Sequence, residues 1–274
     1  MHPLSVKPTT VSTHQSGTVT ERTDLLAVEE PLEIRVEHGP ARTQRNLSVT
    51  MRTPGHDDDL VAGFLLTEGI VRQPADLLAV RNLSDNVALA MLRPDLDFSP
   101  EKLERHFYTT SSCGVCGKTS IEALQVAADC PLPRGYADWQ AAPEILYALP
   151  DTLRRAQSAF EATGGLHAAA LFGPAGQLLA LREDVGRHNA LDKLLGHFFR
   201  ENTLPLQQHI LLLSGRASFE LIQKAAMAGV RHVCAVGAPS SLAVETAQAF
   251  GIRLVGFLRE GRFNVYPSRC STSS

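Results

Sequence analysis

The strongest constraint on the fold of this chain is a regular alternation of short apolar runs and amphipathic segments over its last 110 residues. The apolar runs predict buried strands, and the segments between them repeat apolar side chains at helical spacing, as Leu191, Leu194 and Phe198 do. The predicted strands are HAAALF, QLLALR, HILLLS, HVCAVGA, IRLVGFLR and RFNVY. The predicted helices are NALDKLLGHFF, FELIQKAAMAGV and LAVETAQAFG. This alternation is typical of βαβ units, so we expect an α/β fold with a mainly parallel sheet.

The first third of the chain follows another pattern and predicts a smaller α+β subdomain. Residues 25–52 and 76–93 contain short runs that alternate apolar and polar side chains with the period of strands. Between them, DDLVAGFLLTEGI predicts a helix that ends near Gly69. Residues 1–22 are rich in Ser and Thr and show no periodicity, so we expect them to be disordered.

A polar stretch with two prolines, residues 94–105, suggests a boundary within the chain. We therefore divide the sequence into a disordered segment, residues 1–22, a small subdomain, residues 23–105, and an α/β domain, residues 106–274. The α/β domain contains both the cysteine loop and the predicted ligand site. Near its start, EILYALPDTLRRAQSAFEATGG predicts a helix that is interrupted at Pro150.

Composition excludes several classes of function. The 274 residues have a hydrophobic fraction of 44% and a net charge of −3, which are ordinary for a globular protein. Because non-specific nucleic-acid binding needs a strongly basic face, we expect no nucleic-acid partner. The sequence shows neither a membrane-length apolar run nor the charged and apolar regions of a signal peptide, so we expect no membrane partner and a cytoplasmic location.

The chain contains five cysteines, and this odd number argues against a disulfide framework. Cys234 lies within an apolar run and is predicted to be a buried small side chain. Cys130 and Cys270 lie in loop-like surroundings and carry no further prediction. Cys113 and Cys116 form a C-x-x-C pair in a loop rich in Gly and Ser, where reactive thiols are expected.

The Cys113–Cys116 pair is compatible with three kinds of chemistry. It could supply half of a zinc site, shuttle between dithiol and disulfide, or carry a sulfane sulfur. A structural zinc site needs four ligands, and no second C-x-x-C or H-x3–5-H is present, so no metal is predicted. The nearby sequence Ser112-x4-Gly117-Lys118-Thr119 resembles a phosphate-binding P-loop, but Ser replaces its first Gly and no apolar strand precedes it.

A second candidate site lies in the segment EDVGRHNALDK, at a predicted strand-to-helix turn. A solvated helix start explains Glu183 and Asp184, because acidic side chains are favoured at a helix N-terminus. Cations are electrostatically misplaced at such a position unless they meet an anion. The segment therefore predicts ligand contacts by Arg187, His188, Asn189 and Lys193.

Two later turns repeat this arrangement. Ser214, Gly215 and Arg216 follow one predicted strand and precede a helix, as a phosphate-binding turn does. Residues 238–241 occupy the next turn of this kind. In a parallel sheet all three turns lie at the carboxyl edge, where open α/β sheets bind ligands. We therefore predict a site for an anionic ligand, such as a nucleotide.

Two further stretches are candidates for the same site. His167 follows Gly164-Gly165 at a strand start and is either a core side chain or one that faces the ligand. Near the C-terminus, two arginines flank a turn at the end of the last long strand, and they are either surface groups or ligand contacts. That stretch comprises Phe257, Leu258, Arg259, Glu260, Gly261 and Arg262.

Seven segments of the chain, in order, resemble the FdhD family of sulfur carrier proteins required for formate dehydrogenase activity. From the first to the last, they span roughly residues 50–266, nearly all of the part predicted to fold. The segments are TPGHDDDLVAGFLLTEGI, SSCGVCGK, TGGLHAAAL, EDVGRHNALDKLLG, LLSGRASFELIQKAA, APSSLAVETA and GFLREGRFNVY.

This resemblance implies a cytidine deaminase-like α/β fold with an added small domain, and a homodimer. It implies that the chain accepts persulfide sulfur from a cysteine desulfurase and passes it to the molybdenum cofactor, Mo-bis(molybdopterin guanine dinucleotide), before insertion into formate dehydrogenase. By the same resemblance, Cys113 would carry the persulfide, Cys116 would be its partner, and Phe257 to Arg262 would contact the cofactor. A GDP-like nucleotide would occupy the same site.

The residues themselves are compatible with this expectation, because a polyanionic cofactor would neutralise Arg187, Arg216, Arg259 and Arg262. Zinc deaminases use H-x-E with P-C-x-x-C; here the C-x-x-C follows serines and no H-x-E precedes it, so neither catalytic zinc nor deamination is expected. Two alternatives remain. One is a module that binds the cofactor or a guanine nucleotide as a chaperone, without sulfur on its cysteines. The other is a dithiol oxidoreductase.

Overall fold

A computed structural model describes residues 5–98 and 140–267 of the chain. Its strands are β1 (Val6–Gln15), β2 (Thr18–Ala27), β3 (Glu30–His38), β4 (Thr43–Arg52), β5 (Leu77–Ser84), β6 (Val87–Leu92), β7 (His167–Phe172), β8 (Leu178–Asp184), β9 (Ile210–Leu213), β10 (His232–Ala235), β11 (Arg253–Arg259) and β12 (Arg262–Val265). Its α-helices are α1 (Asp57–Thr67), α2 (Pro143–Ala156), α3 (Ser158–Thr163), α4 (Arg187–Arg200), α5 (Phe219–Met227) and α6 (Ser241–Phe250). Within these residues, no helix is long and apolar enough to cross a membrane.

The first two strands form a long β-hairpin, so the prediction that residues 1–22 are disordered is wrong from Val6 onwards. β1 and β2 pair without interruption, and Ser16 and Gly17 at the turn have φ of 50° and 82°. Positive φ at both residues is typical of the two-residue turns that match strand twist. Most side chains of the hairpin are exposed, so the sequence lacks the apolar alternation that indicates a half-buried strand.

The small N-terminal sheet has the order β4-β3-β6-β5, with β3 and β6 parallel and the other neighbours antiparallel. Leu32, Ile34 and Val36 of β3 alternate into the core, as the period of a strand requires. Helix α1 packs beneath this sheet. Its three N-terminal aspartates complement the positive end of the helix dipole.

The larger sheet has six strands in the order β12-β11-β10-β9-β7-β8. Only β9 with β10 and β10 with β11 are parallel, and the other three neighbouring pairs are antiparallel. The expectation of a mainly parallel sheet is therefore wrong, and the sheet is mixed. For β7 and β8 the physical reason is the short turn that joins them, Gly173–Gly176, which cannot provide the crossover that parallel neighbours need.

Helices cover both faces of the six-stranded sheet. On one face, Leu146, Leu149 and Leu153 of α2 pack against side chains such as Phe172 and Leu212. On the other face lie α4, α5 and α6, and the core continues from them through α1 to the small sheet. The boundary predicted between residues 105 and 106 lies outside the described residues, so the division into subdomains stays a prediction.

Helix α2 runs through Pro150, so the predicted interruption there is wrong. The break instead lies at Gln157, between α2 and α3. Because Leu146, Leu149 and Leu153 are all buried against the sheet, the helix is held by packing on both sides of the proline. Tertiary packing here outweighs the loss of one backbone hydrogen bond.

Helices α1 and α4 cross in backbone contact because each has a glycine at the crossing. A Cβ on Gly63 would collide with the carbonyl oxygen of Asp192, and a Cβ on Gly196 would collide with that of Asp59. Each of these two glycines therefore makes room for the backbone of the facing helix. This crossing is the main helix contact between the small sheet and the larger one.

We predict that Gly63→Ala destabilises the protein by about 3 kcal/mol, because the added methyl group must push two helix backbones apart. Chemical denaturation monitored by circular dichroism measures the loss. The matched control is Gly165→Ala, where the added carbon would make only ordinary contacts and the expected change is within about 0.5 kcal/mol. Equal stability of the two variants would contradict the tight crossing.

Candidate functional site

Five strands of the larger sheet bring the predicted ligand segments to one edge. β9, β10 and β11 run towards it, and β7, which is antiparallel to β9, begins there at His167. β8 ends there at Asp184, opposite His167, and α4 begins soon afterwards. We call this the carboxyl edge; its loops are residues 184–188, 214–218 and 237–240, together with Phe257 on β11.

Backbone hydrogen bonds join neighbouring loops of the carboxyl edge. Gly237 N donates to Gly215 O at 2.9 Å, and Phe257 N donates to Gly237 O at 3.1 Å. A Cβ on Gly237 would lie 3.0 Å from the backbone of Gly215 and Arg216, so this close approach favours glycine. The loops therefore form a connected backbone surface, which suits an extended ligand.

Ser214 has a structural role at this edge. Its Oγ accepts a hydrogen bond from Ala168 N at 2.8 Å, and its own N–H donates to Ala168 O at 3.0 Å. The side chain thereby joins the end of β9 to the start of β7. Gly215 follows it, and a Cβ there would meet the ring of His167 at 3.4 Å. Ser214 and Gly215 thus place His167 beside the loop.

A buried carboxylate organises the start of α4. Asp184 is completely buried, and its Oδ1 accepts from Gly186 N at 2.8 Å and from the Asn189 side chain at 3.2 Å. Its Oδ2 accepts from Thr53 N at 3.1 Å and lies 2.7 Å from Lys193 Nζ. Asp184 is therefore an internal acceptor, not part of a solvated helix start.

This network corrects the prediction that Asn189 and Lys193 contact a ligand. Lys193 is only 1% exposed, and its Nζ donates to Thr53 O at 2.7 Å as well as contacting Asp184. Asn189 donates to Met51 O at 2.7 Å and accepts from Thr50 Oγ1 at 3.1 Å. Both side chains fasten α4 to the end of β4 and the connection that follows it. Asn189 and Lys193 are four residues apart and therefore lie on one side of α4, the side that faces α1 and β4. This spacing was the sequence signal for their internal role.

Glu183 also has a role that the sequence did not reveal. Its carboxylate accepts hydrogen bonds from Ala159 N at 3.2 Å and Phe160 N at 2.8 Å. These are otherwise unpaired backbone donors at the start of α3, so Glu183 caps that helix from a distant strand. The interpretation of Glu183 as an N-terminal acid of α4 is therefore replaced by a tertiary cap.

Other predicted ligand residues remain accessible at or near the carboxyl edge. Arg187 begins α4 and is exposed, and Arg216 is exposed in the loop before α5. Arg259 and Arg262 flank the turn between β11 and β12 and are also exposed. His188 is half-buried, and its Nε2 lies 2.8 Å from Glu220 Oε2 on α5. These side chains leave positive charge at the edge.

His167 is a candidate for a neutral hydrogen-bonding group. Burial lowers the pKa of its imidazole below the ordinary value, and the nearby charges of Arg187 and His188 act in the same direction. Asp184 opposes this shift but does not outweigh it. At neutral pH the ring therefore has one donor and one acceptor nitrogen beside Gly215, without adding charge to the edge.

The stretch from Phe257 to Arg262 contains both buried and exposed groups. Leu258 is completely buried in the core beneath α2, so its side chain packs in the core, and its contact with a ligand stays a prediction. Phe257 has a φ of 54° at a break in strand register and is 36% exposed. Gly261, with a φ of 68°, closes the turn beside the exposed Glu260. The irregular backbone turns the Phe257 side chain outward.

Comparison with known proteins agrees with this architecture and with the resemblance in the sequence. The family described as FdhD/NarQ matches residues 27–271. The chain belongs to the FdhD/NarQ family. The hairpin strand β1 and most of β2 precede the matched residues, so the family model describes the two larger sheets and not the hairpin.

Relatives of the chain are named as sulfur carrier proteins. The Sulfur carrier protein FdhD of Mycobacterium tuberculosis is 52% identical over 266 residues, covering 90% of this chain and 91% of the relative. That of Streptomyces coelicolor is 48% identical, covering 92% and 90%. A crystal structure from Desulfotalea psychrophila, of a candidate formate dehydrogenase accessory protein, has a TM-score of 0.75 at 21% identity and covers 98% of this chain and 99% of that one. The crystal structure supports the fold; it does not establish the deaminase-like class.

Cys113 and Cys116, the residues expected to carry the family's chemistry, lie outside the described residues. Cys234 is buried in β10, where burial raises the pKa of its thiol to about 12. Because the thiolate is the reactive form, Cys234 is chemically inert in the folded protein. Any sulfur chemistry must therefore use another of the cysteines.

We predict that Lys193→Met destabilises the protein by about 3 kcal/mol, because the buried Asp184 carboxylate loses its counter-ion. Urea denaturation measures this loss. Arg22→Met is the control, since it removes a cation from an exposed contact of 4.0 Å with Asp24, and such pairs contribute under about 1 kcal/mol. A Lys193→Met protein as stable as the control would exclude a structural role for this ion pair.

We also predict that Cys234 resists alkylation by iodoacetamide at pH 8 in the native protein and reacts after denaturation. The cause is the raised pKa of its buried thiol. Peptide mass spectrometry before and after addition of denaturant measures the modification. Rapid native labelling of Cys234 would show that β10 opens or that the thiol is accessible.

Proposed function

We propose that this chain is a sulfur carrier in formate dehydrogenase maturation. The observation that carries the proposal is its 52% identity, over 90% of its length, to a relative named as a sulfur carrier. The Cys113–Cys116 pair supplies thiols for such a role, and Cys234 is excluded by burial. The sulfur donor is a cysteine desulfurase, and the acceptor is the molybdenum cofactor destined for formate dehydrogenase.

The carboxyl edge suits an anionic acceptor. Arg187 and Arg216 stand exposed where α4 and α5 begin, and the unpaired N–H groups at helix starts attract phosphate. Arg259 and Arg262 extend the positive charge along the neighbouring hairpin. We infer that these groups bind Mo-bis(molybdopterin guanine dinucleotide) as the substrate of sulfur transfer, and that a GDP-like nucleotide occupies part of the same surface.

The chemistry starts at Cys113. Its thiolate attacks the outer sulfur of the donor persulfide, so a new S–S bond forms on Cys113 and the desulfurase cysteine leaves as a thiolate. In the second step an electron pair of the acceptor would form the new bond to the outer sulfur, the S–S bond would break, and Cys113 would leave as its thiolate. Alternatively, Cys116 attacks the inner sulfur, releases hydrosulfide and leaves a Cys113–Cys116 disulfide, which a dithiol must reduce.

The remaining parts of the proposal concern the assembly and its location. We infer a cytoplasmic homodimer, following the resemblance to the family. The second candidate function is a chaperone that binds the cofactor or a guanine nucleotide through the carboxyl edge and carries no sulfur. The exposed arginines of this edge support both functions equally. A test of the cysteines therefore distinguishes the two functions.

The test is intact-mass spectrometry of the wild-type protein, Cys113→Ala and Cys116→Ala after incubation with a cysteine desulfurase and cysteine. We expect the wild type to gain about one or more sulfur atoms, reversibly under reductant, because a persulfide is reduced back to the thiol. Cys113→Ala loses this gain, whereas Cys116→Ala retains it. Cys234→Ala serves as the control and behaves as the wild type.

No mass gain by the wild type, with an active desulfurase, would contradict the carrier function. Retained binding of GDP by that same protein would then support the chaperone. A mass gain that survives in Cys113→Ala and disappears in Cys116→Ala would exchange the roles of the two cysteines.

A further inference from the structure

An acidic side chain lies among the cations of the carboxyl edge. Glu220 stands in the first turn of α5, and its Oε2 is 2.8 Å from Nε2 of His188 in the first turn of α4. Contact with His188 lowers the pKa of Glu220 below its ordinary value, against the effect of burial. The charges of Lys224 and Arg187 lower it further. Glu220 is therefore ionised and faces the groups expected to meet an anionic ligand.

Stability alone gives a weak reason for this contact. The side chains of His188 and Glu220 are 31% and 45% exposed, and ion pairs as accessible as this contribute little to folding. Lys224 already has a stronger internal partner, because its Nζ lies 2.9 Å from Asp192 Oδ2. The main electrostatic effect of Glu220 is thus to reduce the positive potential near Arg187 and His188.

A carrier must bind its cofactor and also release it. A fixed carboxylate beside the binding cations provides this balance. It repels the phosphates of a bound ligand, and it pairs with one of the cations when the ligand is absent. Arg187, Arg216, Arg259 and Arg262, by contrast, form no ion pair with a carboxylate of the residues that the structure describes. Among the predicted ligand residues that stay accessible, His188 is therefore the one whose side chain lies against a carboxylate.

We propose that Glu220 is an internal counter-ion that competes with the anionic ligand for His188 and Arg187 and so limits the affinity of the carboxyl edge for nucleoside diphosphates. The inference rests on the part of the proposed function that assigns anion binding to this edge. It does not depend on sulfur transfer. Glu220 acts through these two side chains and has no catalytic role.

The chain contains a matched control at the other end of α4. There His197 Nε2 lies 3.7 Å from Glu201 Oε1, with side-chain exposures of 29% and 55%. Glu201→Gln removes one negative charge and loosens a His–Glu contact, as Glu220→Gln does, but it does so at the C-terminal end of α4. The two variants therefore differ mainly in their distance from the carboxyl edge.

The experiment measures GDP and GMP binding to the full chain by isothermal titration calorimetry. Glu220→Gln is expected to bind GDP about 3- to 10-fold more tightly than the wild type, because one repulsive charge at close range is removed. The gain is smaller for GMP, which has less charge, and it shrinks near 1 M salt, where the screening length is about 3 Å. Glu201→Gln stays within about twofold of the wild type, since screening weakens its more distant charge.

Unchanged or weaker GDP binding by Glu220→Gln would overturn the inference, and so would an equal gain in Glu201→Gln. Glu220→Ala is measured alongside, and thermal melting verifies that each variant is folded. If none of the proteins binds either nucleotide, the counter-ion role fails together with the nucleotide site. Persulfide formation on Cys113 is read separately by mass spectrometry, so loss of the carrier function gives a different result.

Discussion

The carboxylate of Asp184 is the interaction on which the candidate site depends. It lies at the end of β8, completely buried, and receives donors from the first turns of α4 and from the β4–α1 connection. Such a charge is tolerated in the interior only when its hydrogen bonds and counter-ion are all supplied. Lys193 supplies the charge, and Gly186, Asn189 and Thr53 supply the hydrogen bonds. The start of α4 is therefore fixed in place, with Arg187 directed to solvent.

The small sheet is a structural part of this site. Thr53, which both donates to Asp184 and accepts from Lys193, belongs to the connection between β4 and α1. The glycine crossing at Gly63 and Gly196 brings α1 against α4, and the apolar core is continuous through both helices. Displacing the small sheet would consequently remove two hydrogen-bond partners from the buried ion pair, so its packing also determines the geometry of the carboxyl edge.

Sequence patterns predicted most strands and helices correctly because these elements are half-buried, and half-buried elements show the period of their secondary structure. The exposed hairpin β1–β2 does not show the apolar alternation of a half-buried strand. The sequence signal for this hairpin was the Ser16-Gly17 turn between two runs rich in Thr and Val. The carboxyl edge was also predictable, although β7 is antiparallel to β9. β8 reverses direction again, so Asp184 still reaches the same edge as Ser214.

What the sequence could not show is which cations have internal partners. Lys193 and Arg187 are six positions apart on one helix, and both are candidates for an anion from their residue type alone. The structure separates them, because Lys193 is buried against Asp184 while Arg187 is exposed. His188 is intermediate, since Glu220 contacts it at a partly exposed position. The net charge of the carboxyl edge is therefore set by carboxylates on other elements of the fold, and substitutions of those carboxylates can change it.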